Sequence, residues 1–275
     1  MICRGKKLEF GDSTHIMGVL NITPDSFSDG GTYLNLDNAL THAKNMVANG
    51  ATIIDIGGES SRPGAEPVPE VVELERVIPI IKALDSERLN VLLSIDTTKA
   101  IVAKQAIESG AHIINDITAL RGDDDMTRVA ADTEAGVILM HMKGTPRTMQ
   151  SAPKYVDVVQ EVYKALEQWI SDAVRKGIDS DRIIIDPGIG FGKTIHQNIQ
   201  ILRKLEEFQR LNKPILIGTS RKSFIGNLLD LPVTDRVEGT LATVCWAITH
   251  GADIVRVHDV KETVRAARMT DVLHR

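Results

Sequence analysis

The sequence predicts an α/β protein with the fold of a (β/α)8 TIM barrel, formed as a single domain by residues 1–275. Eight short runs rich in Ile, Val and Leu recur along the chain, and segments with the 3.6-residue apolar period of a helix lie between most of them. The runs are almost continuously apolar, which is typical of parallel strands that are buried on both faces. Eight such strands alternating with helices over about 250 residues favour a closed barrel, with a doubly wound open sheet as the alternative.

Each predicted element has a defined place along the chain. The predicted strands are residues 15–21, 52–57, 91–96, 112–116, 137–141, 182–186, 214–219 and 253–258. The predicted helices are residues 36–48, 71–84, 100–107, 155–174, 199–208, 237–248 and 263–273. A glycine that ends a helix precedes three of the strands, in the pairs Gly50-Ala51, Gly110-Ala111 and Gly251-Ala252. The sequence leaves open whether residues 1–14 form a small hairpin or a plug.

The composition is that of an ordinary soluble globular protein, and it excludes several classes. Hydrophobic residues make up 43% and charged residues 25% of the chain, which rules out a disordered, collagen-like or disulfide-framework protein. The net charge is −5 and the cations are scattered, so we expect no nucleic-acid partner. No apolar run approaches the roughly 18–20 residues of a membrane span. Cys3 and Cys245 have no metal-site spacing, and the N-terminus has no secretory signal pattern, so a cytoplasmic location is expected.

Polar residues close nearly every predicted strand. In this fold the active site lies at the carboxyl ends of the strands, so these side chains should converge on one mouth. A single strand-end Asp often caps the following helix, but burying this many unpaired polar groups would be costly. We therefore expect them to bind a polar ligand. The strand-end residues are Asn21, Asp55, Asp96, Asn115, Asp116, His141, Asp186, Arg256 and His258.

The loops after the first two strands are longer than the usual 2–6 residues of such connections. Residues 21–31 and 57–65 are polar and rich in glycine, which predicts mobile loops over a site, plain linkage being the alternative. Residues 186–194 resemble a phosphate-binding P-loop but carry Pro187 where that motif requires glycine. Their glycines instead allow the backbone to approach a flat ligand, with Phe191 available to stack on it.

The chemistry of these groups predicts an enzyme that acts on a phosphorylated heterocycle. Acids and amides at Asp96, Asn115 and Asp186 suit an N–H-rich ring such as an aminopyrimidinone. The segment 218–224 joins cations to a predicted helix N-terminus and suits an anion or carbonyl, although a solvated turn remains an alternative. The cations Arg62, Lys222, Arg256 and His258 suit phosphate, although His258 as an ordinary core histidine is also open. A hard metal held mainly by phosphate oxygens is compatible with this set.

Eight segments resemble the signatures of dihydropteroate synthases, in order and over nearly the whole chain. They are residues 17–31 (MGVLNITPDSFSDGG), 55–64 (DIGGESSRPG), 94–97 (SIDT), 114–116 (IND), 141–142 (HM), 186–193 (DPGIGFGK), 220–223 (SRKS) and 256–260 (RVHDV). The resemblance implies a (β/α)8 barrel that transfers an alkyl group in folate biosynthesis. The reaction it implies joins (7,8-dihydropterin-6-yl)methyl diphosphate to 4-aminobenzoate and releases diphosphate. It also implies Mg²⁺ as cofactor, a homodimer, and a target of sulfonamides.

The resemblance further implies roles for individual residues. The pterin would be bound by Asp96, Asn115, Met140, Asp186, Phe191, Gly218 and Lys222. The aminobenzoate would be bound by Phe27, Ser61, Arg62, Pro63, Phe191, Lys222 and Ser223. The diphosphate would be bound by Asn21, Arg62, Arg256 and His258, with Asn21 also a ligand of Mg²⁺. The catalytic residues would be Asp96, Lys222, Arg256 and His258. Many relatives carry Thr at the position of Ser61, and the loss of one methyl group should have a small effect.

An SN1-like path follows from the leaving group, because the positive charge on the methylene carbon is delocalised into the pterin ring. Two other functions are weighed against it. Methyltetrahydrofolate-dependent corrinoid methyltransferases share pterin recognition on the same barrel, but they need no clamp for diphosphate. A non-catalytic pterin-binding protein would not need one either. Arg62, Lys222 and Arg256 favour the synthase over the methyltransferase, and Asn21 and His258, with the two arginines, argue against the binding protein.

Overall fold

The computed structural model describes residues 1–22, 32–62 and 64–275, and for residues 32–35 it describes the backbone only. The strands are β1 (Ile2–Cys3), β2 (Lys6–Lys7), β3 (His15–Asn21), β4 (Ile53–Gly57), β5 (Leu92–Asp96), β6 (Ile113–Asp116), β7 (Gly136–Met140), β8 (Ile183–Asp186), β9 (Leu216–Ile217) and β10 (Ile254–Val257). The helices are α1 (Thr32–Ala48), α2 (Glu70–Ser86), α3 (Ala100–Glu108), α4 (Met126–Asp132), α5 (Val158–Arg175), α6 (Ile195–Arg203), α7 (Ser223–Leu229), α8 (Val237–Thr249) and α9 (Val260–His274).

Eight of the strands form one parallel barrel. Their order is β8-β7-β6-β5-β4-β3-β10-β9. Ile185 in β8 pairs in parallel with Ile215, one residue before β9, and the Ile185 amide donates to the Pro214 carbonyl at 3.0 Å. These contacts close the sheet on itself. The predicted (β/α)8 barrel is confirmed, and the open doubly wound sheet is wrong.

The predicted elements overlap the observed ones, but several ends differ. Helix α1 begins at Thr32 rather than residue 36, α9 begins at Val260 rather than residue 263, and β9 is limited to Leu216–Ile217. Helix α4 was not predicted and for α7 only the N-terminus was, because seven residues are too few to display a clear apolar period. Helix α5 begins three residues later than predicted, because the Asp157 side chain accepts hydrogen bonds from two amides of its first turn. The predicted helix 199–208 is divided between α6 and a 3-10 segment, Leu205–Leu211. The three helix-ending glycines, Gly50, Gly110 and Gly251, all have positive φ as predicted.

The barrel interior consists of an apolar layer below a polar one. One buried residue from each barrel strand joins the lower layer, which is Met17, Ile53, Leu92, Ile113, Ile138, Ile184, Leu216 and Ile254. Cys3 and Leu8 pack against this layer from the N-terminal segment, in which β1 and β2 form an antiparallel hairpin. The hairpin is therefore also the plug of the barrel.

The polar layer follows from the alternation of side chains along a strand. Residues two positions beyond the lower layer also face the interior, and several of them are polar. They are Asp55, Ser94, Asn115, Asp186 and Arg256. The intervening residues, such as Ile54, Leu93 and Ile114, belong to the apolar cluster shared with the helices. The site thus lies directly above a packed hydrophobic floor.

Among the described residues, no helix is both long enough and apolar enough to cross a membrane.

Candidate active site

One guanidinium group joins two carboxylates at the centre of the mouth. Arg256 Nε donates to Asp55 Oδ2 at 2.6 Å, and Arg256 Nη2 donates to Asp96 Oδ2 at 2.7 Å. Asp55 Oδ2 also accepts a hydrogen bond from Asn115 Nδ2 at 3.1 Å. Asp55 is fully buried, and its other oxygen, Oδ1, has no partner within the described part of the chain. Residues from β4, β5, β6 and β10 therefore form one hydrogen-bonded network.

This network changes the acidity of its members. Burial raises the pKa of Asp96 to about 7; Arg256 opposes the change, and the charges of Asp55, Glu73 and Asp116 reinforce it. Burial disfavours the charged guanidinium of Arg256, but Asp55 and Asp96 outweigh this effect and raise its pKa. Asp96 can therefore take up a proton near neutral pH, whereas Arg256 remains a cation.

The opposite wall is formed by Asp186, Lys222 and the turn at residues 186–193. Asp186 Oδ1 accepts a hydrogen bond from the Gly188 amide at 2.7 Å, and the Lys222 ammonium donates to the Ile189 carbonyl. Lys222 Nζ also lies 4.8 Å from the centre of the Phe191 ring. Burial lowers the pKa of Lys222 to about 8 against the attraction of Asp186. Burial likewise raises the pKa of Asp186, and Lys222 opposes that shift.

An apolar surface connects the two polar walls. Met140 packs in a cluster with Met142, Met149 and the half-buried Phe191. At the end of β9, a Cβ atom at Gly218 would lie 3.8 Å from Arg256 Cβ and 3.9 Å from Lys222 Nζ, so glycine leaves room between these two cations. A slot with apolar faces and polar edges suits a flat heterocycle.

His258 and Ser220 form a separate pair beside Arg256. His258 Nδ1 lies 2.9 Å from Ser220 Oγ, which also accepts a hydrogen bond from the His258 amide at 3.1 Å. Burial lowers the pKa of His258 to about 4, and the charges of Arg256 and Arg221 reinforce this shift. The imidazole is therefore neutral at pH 7 when no anion lies beside it, rather than the cation of the sequence-based interpretation.

The neighbouring cation, Arg221, is engaged elsewhere. Its Nε and Nη2 donate to the two carboxylate oxygens of Asp259, at 2.9 and 2.5 Å. Of the two adjacent cations in the 218–224 segment, Lys222 faces Asp186 and Arg221 is held in an ion pair.

Asn21 lies at the edge of the network, beside Gly57. A Cβ atom at Gly57 would sit 3.8 Å from both Asn21 Oδ1 and Asp96 Oδ2, so glycine leaves these two oxygens facing a shared space. Oxygen donors of this kind fit Mg²⁺, which is commonly held by one or two protein oxygens together with substrate phosphates. Within the part of the chain that the structure describes, no group of three or more His, Cys, Asp or Glu side chains is arranged for a metal ion.

The structure brings the predicted aminobenzoate residues together only in part. Ser61 is half-buried and Arg62 is exposed, on the loop that follows β4. Arg62 is close enough to His258 to contribute to lowering its pKa. Ser223 is exposed at the start of α7. Phe27 and Pro63 lie outside the described residues.

Two strand-end residues have structural roles instead. Asp116 accepts hydrogen bonds from the Thr118 amide and hydroxyl, both at 2.7 Å, and from the Leu120 amide at 2.9 Å. It therefore stabilises the turn after β6, which is neither ligand binding nor the helix cap considered as the alternative for a strand-end Asp. His141 stacks on Trp169 with ring centres 5.5 Å apart.

Sequence reasoning expected Asp55 at the mouth only as one of the strand-end residues and gave it no individual role, and it assigned no site role to Ser220 or Lys193. Asp55 was identified as a strand-end acid, and the alternation from Ile53 would have placed it in the same interior layer as Arg256. For Ser220 and Lys193 only their motifs were noted, and nothing in the sequence indicates their contacts.

Comparison with known proteins agrees with this geometry. A family described as pterin binding enzyme matches residues 17–258. The dihydropteroate synthase of Bacillus subtilis is 50% identical to this chain over 266 residues, which cover 97% of this chain and 90% of that protein. The chain belongs to the dihydropteroate synthase family.

Solved structures of dihydropteroate synthases share the whole fold. That of Yersinia pestis, in complex with a sulfonamide drug, has a TM-score of 0.93 and 45% identity and covers 99% of this chain and 98% of its own. That of Xanthomonas albilineans, in complex with 7,8-dihydropteroate, has a TM-score of 0.85 and 40% identity and covers 95% and 94%. The resemblance predicted from the sequence is therefore confirmed, and the chain is a transferase of the folate pathway.

Proposed function

We propose that this member of the dihydropteroate synthase family joins (7,8-dihydropterin-6-yl)methyl diphosphate to 4-aminobenzoate, giving 7,8-dihydropteroate and diphosphate. The observation that carries the proposal is the slot between the Asp55–Asp96–Asn115–Arg256 network and the Asp186–Lys222 wall. The relative from Xanthomonas albilineans holds 7,8-dihydropteroate, the product of this reaction.

The pterin ring lies in the slot with its polar edge on the acids and amides. A carboxylate such as Asp186 accepts two parallel hydrogen bonds from a 2-amino group and a ring N–H, and Asn115 and Lys222 bond the remaining edge. Met140, Phe191 and Gly218 line the faces of the ring. When a pterin N–H bonds to Asp96, it competes with Arg256 Nη2 for the same oxygen. Pterin binding would thus release a guanidinium N–H for the diphosphate.

The leaving group is stabilised by cations at the rim. The C–O bond between the methylene carbon and the diphosphate breaks, and the electron pair leaves with the diphosphate. Arg256 and Arg62 oppose its growing charge, and an anion beside His258 would favour protonation of that imidazole. Asn21 would hold Mg²⁺, which supplies electrostatic stabilisation of diphosphate oxygens when bound.

The second substrate completes the reaction on an SN1-like path. The methylene cation is delocalised into the pterin ring, and the aniline nitrogen of 4-aminobenzoate attacks it and then loses a proton to solvent. Ser61, Arg62, Phe191, Lys222 and Ser223 contribute to its pocket, and the family resemblance assigns Phe27 and Pro63 to the same substrate. Sulfonamides would compete there, since the Yersinia pestis relative binds such a drug.

The chain is further proposed to work as a cytoplasmic homodimer. Helices α8 and α9 pack side by side, and they expose Trp246, Met269, Val272 and Leu273. Apolar patches of this kind commonly mark interfaces. Sedimentation equilibrium tests the dimer, and a monomer at micromolar concentration would contradict it.

Diphosphate release from the purified protein tests the reaction. We expect release that requires the pterin diphosphate, 4-aminobenzoate and Mg²⁺ together and that is lost in Arg256→Ala. Tight binding of the pterin without turnover would instead indicate a non-catalytic binding protein, and methyl transfer would then be assayed.

A further inference from the structure

Lys193 is a buried lysine that contacts no carboxylate within the described ranges of the chain. It is 2% exposed and is the largest fully buried side chain among the described residues. Lysine is almost never buried to this extent unless it is paired, and its amine loses most of its hydration here. Burial accordingly lowers the pKa of Lys193 well below its usual range, although the charge of Asp186 opposes the shift. A side chain kept in such a position calls for a structural or functional reason.

The Lys193 amine lies inside a cage of four acceptors. Nζ is 2.8 Å from the Gly188 carbonyl and 3.0 Å from the Phe191 carbonyl, both in its own turn. It is also 3.0 Å from His141 Nδ1 and 3.2 Å from the His141 carbonyl, at the end of β7. Whichever of the two side chains carries the shared proton, the amine can donate to both turn carbonyls. Lys193 thus ties the turn after β8 to the end of β7.

The other contacts of this turn leave it little freedom to find a different support. A Cβ atom at Gly188 would be 1.9 Å from the His141 carbonyl oxygen, and one at Gly192 would be 2.3 Å from the Lys143 carbonyl oxygen. Both glycines have positive φ. The turn therefore packs main chain against main chain. Lys193 serves its Gly188 and Phe191 carbonyls from inside, while Asn198, Gln150 and Tyr155 bond to other main-chain groups of the turn.

The same turn orients the second wall of the site. Its Gly188 amide bonds to the Asp186 carboxylate, its Ile189 carbonyl accepts from Lys222, and its Phe191 ring faces the Lys222 ammonium. The Lys193 amine bonds only to its own turn and to His141 among the described residues. Its effect on the substrate must pass through these three groups.

We infer that Lys193 is a positioning residue for the pterin: it fixes the turn at residues 186–193 and thereby holds Asp186, Phe191 and the partner carbonyl of Lys222 in place for the ring. The inference rests on the proposed pterin site. To that site the inference adds a residue that does not contact the substrate.

The test is a double-mutant cycle measured by calorimetric binding of the pterin diphosphate. Lys193→Met keeps the volume of the side chain and removes its N–H groups, and we expect it to weaken binding about tenfold. Asp186→Asn removes a direct contact and also weakens binding. If Lys193 acts through Asp186 and its turn, the second substitution should add little to the first. The double variant should then bind the pterin diphosphate almost as tightly as the single variant with the lower affinity.

Lys143→Met is the matched control. Lys143 lies beside the same turn, but its side chain is 46% exposed and its ammonium bonds to the Lys154 carbonyl and Glu161. We expect this variant to bind like the wild type and to combine multiplicatively with Asp186→Asn. If Lys193→Met does not fold, Lys193→Gln, which keeps two N–H donors, replaces it in the cycle with a smaller expected loss.

The outcomes separate this inference from the proposed function. Wild-type protein that neither binds nor converts the pterin diphosphate would contradict the proposed function. Active wild type with a Lys193 variant that binds within twofold of it, or whose effect multiplies fully with that of Asp186→Asn, would overturn the positioning role. A lowered melting temperature with unchanged affinity would show that Lys193 only stabilises the fold.

Discussion

Replacing Arg256 by Met should destabilise the protein in a way that depends on pH. Arg256 holds two buried carboxylates, and its side chain is only 22% exposed. A pair of unit charges about 4 Å apart is worth about 4 kcal/mol at an effective dielectric constant near 20. The substitution also removes the cost of desolvating the guanidinium, which offsets part of the lost attraction. We therefore expect a net loss of about 3–5 kcal/mol in the free energy of unfolding.

The loss should be larger at alkaline pH, because of Asp96. In the folded protein its pKa is about 7, above that of the unfolded chain, and removal of Arg256 raises it further. An acid with a raised folded pKa destabilises the protein increasingly as the pH rises from the unfolded pKa, about 4, to the folded pKa, and the loss levels off above that value. In wild type the loss from Asp96 levels off at about pH 7, whereas in the variant it continues to grow at higher pH. The variant should therefore be closer to wild type at about pH 5.5 than at about pH 8.5.

Urea unfolding followed by circular dichroism at the two pH values measures both effects. The neutral triple variant Arg256→Met, Asp55→Asn, Asp96→Asn is the control, and it should recover stability to within about 1–2 kcal/mol of wild type, because no charge remains buried alone. An Arg256→Met variant as stable as wild type, or one equally destabilised at both pH values, would refute the reasoning.

Three further substitutions test other parts of the structure. His112 is buried and its pKa is lowered to about 4, so the wild-type protein loses stability as the pH falls from about 6.5. The destabilisation caused by His112→Asn, measured by urea unfolding, should therefore be about 2 kcal/mol smaller at pH 5 than at pH 7.5. An equal destabilisation at both pH values would contradict the lowered pKa. Gly188→Ala should cost more than about 3 kcal/mol in stability, because the new Cβ would overlap the His141 carbonyl oxygen. Gly64 also has positive φ, but its Cβ would meet no described atom within 4 Å, so Gly64→Ala should cost about 1 kcal/mol. Similar melting temperatures for the two variants would argue against the clash. Asp157→Ala should cost about 1 kcal/mol in thermal unfolding through the loss of two cap bonds, and Asp157→Ser should cost less.

The barrel and the location of its site were predictable because they follow from periodicity. Continuous apolar runs mark the strands, and the alternation from Ile53 to Asp55, or from Ile254 to Arg256, places polar side chains above an apolar layer. These are properties of single segments. They require no knowledge of which residues from different strands meet.

The pairing within the site was not predictable, because it depends on three-dimensional distances. From the sequence, Arg256 is predicted to be a free cation that binds diphosphate. In the structure, two of its nitrogens donate hydrogen bonds to Asp55 and Asp96. His258 is likewise predicted to be a cation, although burial and neighbouring arginines keep it neutral. Charge state depends on burial and on partners from distant segments, and no local pattern encodes either.

The pairing of the first and last barrel strands has a consequence for synthesis of the chain on the ribosome. β3 pairs along one side with β10, from His15↔Ile254 to Gly18↔Val257, and Thr14 is held by both oxygens of Asp271 at 2.9 and 2.7 Å. Until β10 has emerged from the ribosome, β3 has an open edge and the hairpin plug lacks part of the floor it seals. Contacts of such high sequence separation form slowly. The nascent chain must therefore remain incompletely folded until β10 and α9 have been synthesised, and protection of that edge from premature association falls to chaperones or to rapid closure.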